Sequence, residues 1–263
     1  MRSFRAAIHE QVAGFYLLQE THVDPKDVDY FSNPHGAGWG FRTGHGASLY
    51  SHWAPARDKK AGVAVLINPY GQLQDVTPIY PTRWPPHFMA VQGFYKGKCI
   101  VVFNIYTPHR PRDREQFYRS LGDLEIPCGA LFVVGGDFNC TLDAVADRSY
   151  TSTSSSHNSP ALKALLAIWR LVASVAIERP QDWTSGELRR HHHLSLPLTN
   201  GRETSSRLDR WYVGPLLARW IDRTEVVDPA VHTDHRAPLR TGWLHCPYRI
   251  SQGLRHLHAF GGR

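Results

Sequence analysis

At 263 residues with 42% hydrophobic content, the chain is long enough to bury the core of one sizeable domain. Its four cysteines, Cys99, Cys128, Cys140 and Cys246, are widely spaced and form no CxxC pair, which argues against a disulfide framework or a cysteine zinc site and for a reducing, intracellular compartment. A formal charge of +7 and a sequence pI near 9.4 favour a polyanionic partner such as nucleic acid, and sixteen histidines would strengthen that attraction on mild acidification.

Near the N-terminus, Arg2 and Arg5 precede no usable apolar run, because His9, Glu10 and Gln11 interrupt it; no signal peptide is expected. Residues 2–13 place Phe4, Ala7, Ile8 and Val12 at helical spacing, with Gly14 as a stop. Residues 15–19 read as a buried strand with Glu20 at its end. Residues 24–60 read as short strands joined by loops. A strand over 62–67 runs into the turn Asn68-Pro69-Tyr70-Gly71. Strands over 88–95 and 99–106 are linked by Lys96-Gly97-Lys98, a hairpin signature that predicts antiparallel pairing. After Pro111, residues 112–124 predict a surface helix.

The run Leu131-Phe132-Val133-Val134-Gly135-Gly136-Asp137-Phe138-Asn139 is apolar and then stops abruptly. It predicts a buried strand whose paired glycines allow a tight turn. Asp137 and Asn139 would stand at its mouth, where a carboxylate can hold a metal or take a proton and an amide can donate to developing charge. An Asx turn, in which such residues bond their own backbone, explains the same tripeptide.

Residues 151–156 read as a polar loop, and Ser159-Pro160 opens an amphipathic helix over 161–172. Lys163 and Arg170 make a membrane span an unsuitable reading of the apolar stretch 161–177. A strand start at 181–184 precedes a basic loop with Arg189-Arg190-His191-His192-His193; consecutive side chains on an extended chain alternate in direction and do not share one ion. Residues 206–213 predict a half-buried strand with Arg207 and Asp209 on one face; a surface ion pair accounts for them equally. Strands over 224–228 and 237–243 flank Thr233-Asp234-His235-Arg236.

Taken in order, Gln19-Glu20-Thr21, Asn104-Ile105-Tyr106-Thr107-Pro108, Gly136-Asp137-Phe138-Asn139, Ser206-Arg207-Leu208-Asp209 and Thr233-Asp234-His235 resemble the endonuclease/exonuclease/phosphatase superfamily. The nearest likeness is to apurinic/apyrimidinic endonucleases and to endonuclease domains of LINE-type retrotransposons, and it spans roughly Ala7 to Leu239. The resemblance implies an α/β fold, a four-layer sandwich of two mostly antiparallel sheets packed face to face with helices outside (DNase I-like). It also implies a Mg²⁺ cofactor, with Mn²⁺ as a substitute, held by Glu20 and Asp234. Catalytic roles fall to Asp137, Asn139, His235, Asp209 and Tyr106, and DNA contacts to Arg189, Arg190, Arg207 and His109. His109 stands where relatives often carry Asn, and Thr233 where they carry Ser.

Relatives open with a strand bearing an Asn that assists the metal carboxylate, ahead of the first helix, whereas this sequence starts at about that helix; loss of the strand is expected to expose a sheet edge. The domain is therefore expected over 1–244 as N-terminally truncated, followed by a basic tail, 245–263, for which disorder is the expectation. The implied function is Mg²⁺-dependent hydrolysis of the DNA backbone inside the cell, in the nucleus if chromosomal DNA is the substrate. No membrane association is expected, and no protein partner can be inferred. Two alternatives stay open: a catalytically impaired retroelement fragment that binds nucleic acid, and a phosphatase acting on inositol lipids or nucleotides.

Overall fold

A computed structural model describes residues 13–41, 49–71, 73–143, 147–148, 157–173, 194–197, 203–206, 208–219, 223–227, 237–243 and 246–252. In chain order the strands and helices are β1 (Ala13–Gln19), α1 (Val28–Gly38), β2 (Ser51–Ala54), β3 (Val63–Ile67), β4 (Gln74–Ile79), β5 (Phe88–Tyr95) and β6 (Lys98–Tyr106). They continue with α2 (Pro111–Gly122), β7 (Leu131–Asp137), α3 (Pro160–Ile168), β8 (Val172–Ala173), β9 (Leu194–Pro197), β10 (Glu203–Ser206) and β11 (Asp209–Val213). The last are α4 (Pro215–Ala218), β12 (Arg223–Val227), β13 (Ala237–Trp243) and β14 (Cys246–Gln252).

Among the described residues two six-stranded sheets form, one ordered β12-β13-β14-β1-β3-β2 and the other β4-β5-β6-β7-β11-β8, with β9 and β10 as a separate antiparallel pair. Pairing is antiparallel except for β1 with β14 and β6 with β7. Side-chain alternation then sorts the chain into layers. Phe15 and Leu17 of β1 join Val63, Val65 and Ile67 of β3 in one cluster with Val102, Val133 and Trp211 of the other sheet. Tyr16, Leu18, Ala64 and Leu66, the intervening residues, face the opposite side beneath Trp39 and Trp53. On the second sheet, Val101, Phe103, Phe132 and Tyr212 point outward into a cluster completed by Tyr118 of α2 and Leu162 and Leu165 of α3. The expected α/β sandwich is what the chain forms.

Several elements depart from the sequence expectations. Residues 24–60 include helix α1, although Pro34, Gly36 and Gly38 are poor helix formers. Tertiary contacts override propensity there: Ser32 and His35 are buried, and His35 Nε2 lies 3.0 Å from the Ile67 carbonyl. Helix α3 stops at Ile168 rather than 172. Arg170 turns left-handed (φ 50°), and its N–H reaches the Ala167 carbonyl while that of Leu171 reaches Leu166, a Schellman cap built on Arg instead of Gly.

The strand expected over 206–213 is divided, because β10 pairs with β9 whereas β11 pairs with β7 and β8. Nor is β11 half-buried: all five of its residues are buried, and Arg210 on its outer side is matched by Asp147 at 2.9 Å. A sheet edge is expected to be exposed, but β14, from the segment assigned above to a tail, lies between β1 and β13. The helix expected over 2–13 lies outside the described residues except for Ala13, which begins β1; the loop over 151–156 and the strand start at 181–184 lie outside them altogether. Among the described residues no helix is long and apolar enough to cross a membrane.

Candidate active site

The register of three adjacent strands sets the site. Tyr106 ends β6 and pairs with Asp137 at the end of β7, and Asp137 pairs with Asp209 at the start of β11. Asp137 shares the parity of Leu131 and Val133, and Asp209 that of Trp211 and Val213, all of which line the space between the sheets. Phenol and both carboxylates therefore form one row along the mouth of that space. Asp137 and Asp209 are buried, at 0% and 5% exposure.

Glu20 faces this row from the other sheet. It follows β1 directly, in the left-handed region at φ 50°, where a non-glycine residue is uncommon and marks strain that surrounding contacts must hold. Those contacts are present: the N–H groups of Thr21 and His22 donate to the carbonyls of Gly62 and Ala61. The Tyr106 hydroxyl donates to Glu20 Oε1 and lies 2.7 Å from His109 Nε2, which is itself 3.7 Å from the Glu20 carboxylate. His109, the departure from the family's Asn, is thus built into the Glu20–Tyr106 cluster.

The Asx turn is also present. Asn139 N–H donates to Asp137 Oδ1 at 2.9 Å, and Asn139 takes a left-handed φ of 43°. Its side-chain amide donates to the Thr107 carbonyl at 2.6 Å, so the loop after β7 is laced to the loop after β6. Behind it, buried Arg114 of α2 donates to the Asn139 carbonyl at 2.6 Å, and the Tyr118 hydroxyl donates to that of Phe138. The turn and a chemical role for Asp137 are compatible, since the turn uses one carboxylate oxygen.

Beneath the site, Asn104 joins the two sheets. It is fully buried, accepts from Gln19 Nε2 at 2.6 Å, and donates to the carbonyls of Leu18 and Ala64 at 2.9 and 2.8 Å. The motif reading gives Asn104 and Gln19 no role. The signal for them is a carboxamide at an inward-facing position of an apolar strand, which must find buried partners. Asn104→Ala strands the Gln19 amide and removes the two side-chain bonds to the Leu18 and Ala64 carbonyls, and the expected loss is about 2 to 4 kcal/mol in urea unfolding. A loss below about 1 kcal/mol would show that the sheets do not depend on this link.

Asp234, His235, Arg189, Arg190 and Arg207 lie outside the described residues. β13 begins at Ala237 and runs antiparallel to β14, which is parallel to β1. The start of β13 and the end of β1 therefore sit at the same end of their sheet.

Burial lowers the imidazole pKa of His52 and of His87 below the ordinary 6.5, with a smaller opposing effect from backbone hydrogen bonds to Val76 and Tyr106. The unfolded chain then binds protons more readily than the folded one. The stabilisation from these neutral rings is complete above pH 6.5 and is lost as pH falls through their lowered folded values. Melting temperature is expected to decline on acidification below that point, and His52→Gln to flatten the decline; a pH-independent melting temperature across that range would contradict it.

A fold and a row of this kind invite comparison with known proteins. The family model for the Endonuclease/Exonuclease/phosphatase family matches residues 1–235, and the chain belongs to that family. Among individual relatives, it is 26% identical over 203 residues to the transposon TX1 uncharacterized 149 kDa protein of Xenopus laevis, a match covering 75% of this chain and 13% of that protein. The chain is thus similar to only a small part of that much longer relative. Among solved structures it resembles the AP endonuclease LMAP from Leishmania major, with TM-score 0.66 at 16% identity over 92% of this chain and 81% of that one. It also resembles the endonuclease domain of TRAS1, a telomere-specific non-LTR retrotransposon, with TM-score 0.53 at 16% identity over 72% and 77%. At such identities the structural likenesses establish the fold.

The family is one of divalent-metal chemistry, and the donors can be tested against that. Glu20 is a carboxylate with 12% side-chain exposure at a sheet end, and among the described residues no three His, Cys, Asp or Glu side chains gather as a cage. A carboxylate of this kind fits Mg²⁺, which takes one or two carboxylates and keeps waters for a phosphate to replace.

Proposed function

We propose that the chain is a Mg²⁺-dependent phosphodiesterase that hydrolyses the DNA backbone, an endonuclease of the AP-endonuclease or retroelement kind, leaving 3′-hydroxyl and 5′-phosphate ends. The observation that carries this reading is the register row Tyr106–Asp137–Asp209 with Glu20 opposite it. Two carboxylates directly opposite each other across a strand pair repel. Such an arrangement is worth keeping where cationic or proton-accepting chemistry uses it.

In this reading Asp137 orients an attacking water and takes its proton. Asn139 and His235 donate to charge growing on the phosphate oxygens, Tyr106 assists through its hydroxyl, and Asp209 accepts from His235 and so fixes its tautomer. Glu20, with Asp234, would hold Mg²⁺, which when bound polarises the phosphate and eases departure of the leaving oxygen. Arg189 and Arg190, close before the β9–β10 pair, contact backbone phosphates together with Arg207 and His109. Replacing Arg189 and Arg190 by Ala should weaken DNA binding and flatten the plot of log affinity against log salt by about two. An unchanged slope removes them from the interface.

The test is nicking of supercoiled plasmid by the purified chain with Mg²⁺ and with chelator, beside Glu20→Gln. Metal-dependent nicks with polymerase-extendable ends are expected. Nicking no faster than the Glu20→Gln control would mark an inert remnant, and phosphate release from inositol lipids without nicking would mark a phosphatase. The basic charge favours the nucleic acid substrate.

A further inference from the structure

We propose that His87 is the positioning residue for the Tyr106 hydroxyl, an imidazole that clamps the phenol so that its oxygen meets Glu20 and the incoming phosphate; this rests on the reading that Tyr106 serves the reaction. His87 immediately precedes β5 and lies opposite Tyr106, continuing the pairing of Phe88 with Ile105. Tyr106 N–H donates to the His87 carbonyl at 2.9 Å, and His87 Nδ1 donates to the Tyr106 carbonyl at 2.7 Å. A ring nitrogen bonded to the main chain of the residue it stacks on cannot turn away without losing that bond. The rings are nearly parallel, at 24° with centroids 5.6 Å apart, while Phe117 closes the other side of the imidazole edge-on at 6.3 Å.

The approach to His87 is itself fixed. Pro85 and Pro86 precede it, the Pro86 carbonyl accepts from Gly62 N–H at 2.9 Å, and Gly62 also accepts from Thr21, next to Glu20. His87 is thus tied to both sides of the site, to Tyr106 directly and to the Glu20 turn through Gly62. The sequence gives a weak hint of this, a histidine between two prolines and an apolar strand. Burial lowers the pKa of its ring below the ordinary value, and because a carbonyl only accepts, Nδ1 carries the hydrogen of the bond to Tyr106.

Two readouts separate positioning from plain structural support. With 3-fluorotyrosine at position 106, fluorine NMR of the full chain should show one sharp environment, and His87→Ala should shift and broaden it. His87→Phe, which keeps the stacked ring but not the Nδ1 bond, should restore it only in part. In nicking assays His87→Ala should lower kcat about tenfold to a hundredfold in the parent and cause no further loss in Tyr106→Phe, because there the hydroxyl it serves is gone. An unchanged fluorine signal in His87→Ala overturns the proposal. So does an equal slowing in both backgrounds, or a Tyr106→Phe variant as fast as the parent. Should the parent fail to nick DNA, the functional reading falls and the fluorine signal alone decides whether His87 clamps the phenol.

Discussion

Asp137→Asn is expected to nick plasmid DNA at least about a thousandfold more slowly than the parent while melting within a few degrees of it. The substitution keeps the shape of the side chain and one carbonyl oxygen, so the Asn139 N–H that now donates to Asp137 Oδ1 at 2.9 Å retains an acceptor. What disappears is the negative charge and the capacity to take a proton from water. The side chain is fully buried in the row between Tyr106 and Asp209, where a lost charge is not replaced by solvent. Gel quantification of nicked circles under single-turnover conditions measures the effect. A variant that keeps most of its rate would reduce Asp137 to the Asx turn that it also makes, and the same experiment would then leave the β7 mouth without chemistry.

Much of this site is legible in the amino-acid sequence. The ends of β1, β6 and β7 follow from apolar runs that terminate in polar residues, and the hairpin of β5 and β6 follows from Lys96-Gly97, which in the structure take φ values of 46° and 74°, as a primed two-residue turn requires. Period-two alternation even assigns Asp137 to the inner face once Val133 is taken as core. The illegible parts are those decided by tertiary contact. Helix α1 forms around Pro34 and two glycines because β3 offers His35 a carbonyl. Arg210 belongs to a strand expected to be half-buried, yet it is buried with all its neighbours, and Asp147, 63 positions away, meets it. Asn104 could have been suspected, but its bridge to Gln19, Leu18 and Ala64 depends on how the second sheet lies over the first. The division between β10 and β11 depends on partner choice, which no local pattern encodes.

The same dependence links stability to the site. Glu20 stands on one sheet and the Tyr106–Asp137–Asp209 row on the other, so the distance across the mouth is set by the apolar layer and by Asn104. Trp211 fills that layer directly under the row, its ring meeting Phe15 edge-on at 6.4 Å. A substitution that moves one sheet by a fraction of an ångström alters the geometry at Glu20 as well as the folding free energy.

Gly136→Ala is the sharpest case, and its expected cost is about 3 kcal/mol or more, read as a fall in the urea midpoint and in melting temperature. Gly136 lies at φ 144°, a region side chains avoid, and a Cβ there would stand 1.8 Å from the Ile105 carbonyl oxygen, with the Ile105 carbonyl carbon and nitrogen also within 2.9 Å. The obstacle is backbone of the paired strand β6, which cannot rotate aside. Relief requires β6 to move away from β7 at the level of Tyr106 and Asp137, so activity should fall along with stability. Gly135 offers the control. A Cβ there meets the Trp211 ring at 2.4 Å and Leu17 Cδ1 at 2.7 Å, side chains that can shift by repacking the layer between the sheets. Gly135→Ala should therefore cost less, about 1 to 3 kcal/mol. If both variants unfold at the same urea concentration, or Gly136→Ala is the milder, β6 and β7 are not held in the close approach on which the row of phenol and carboxylates rests.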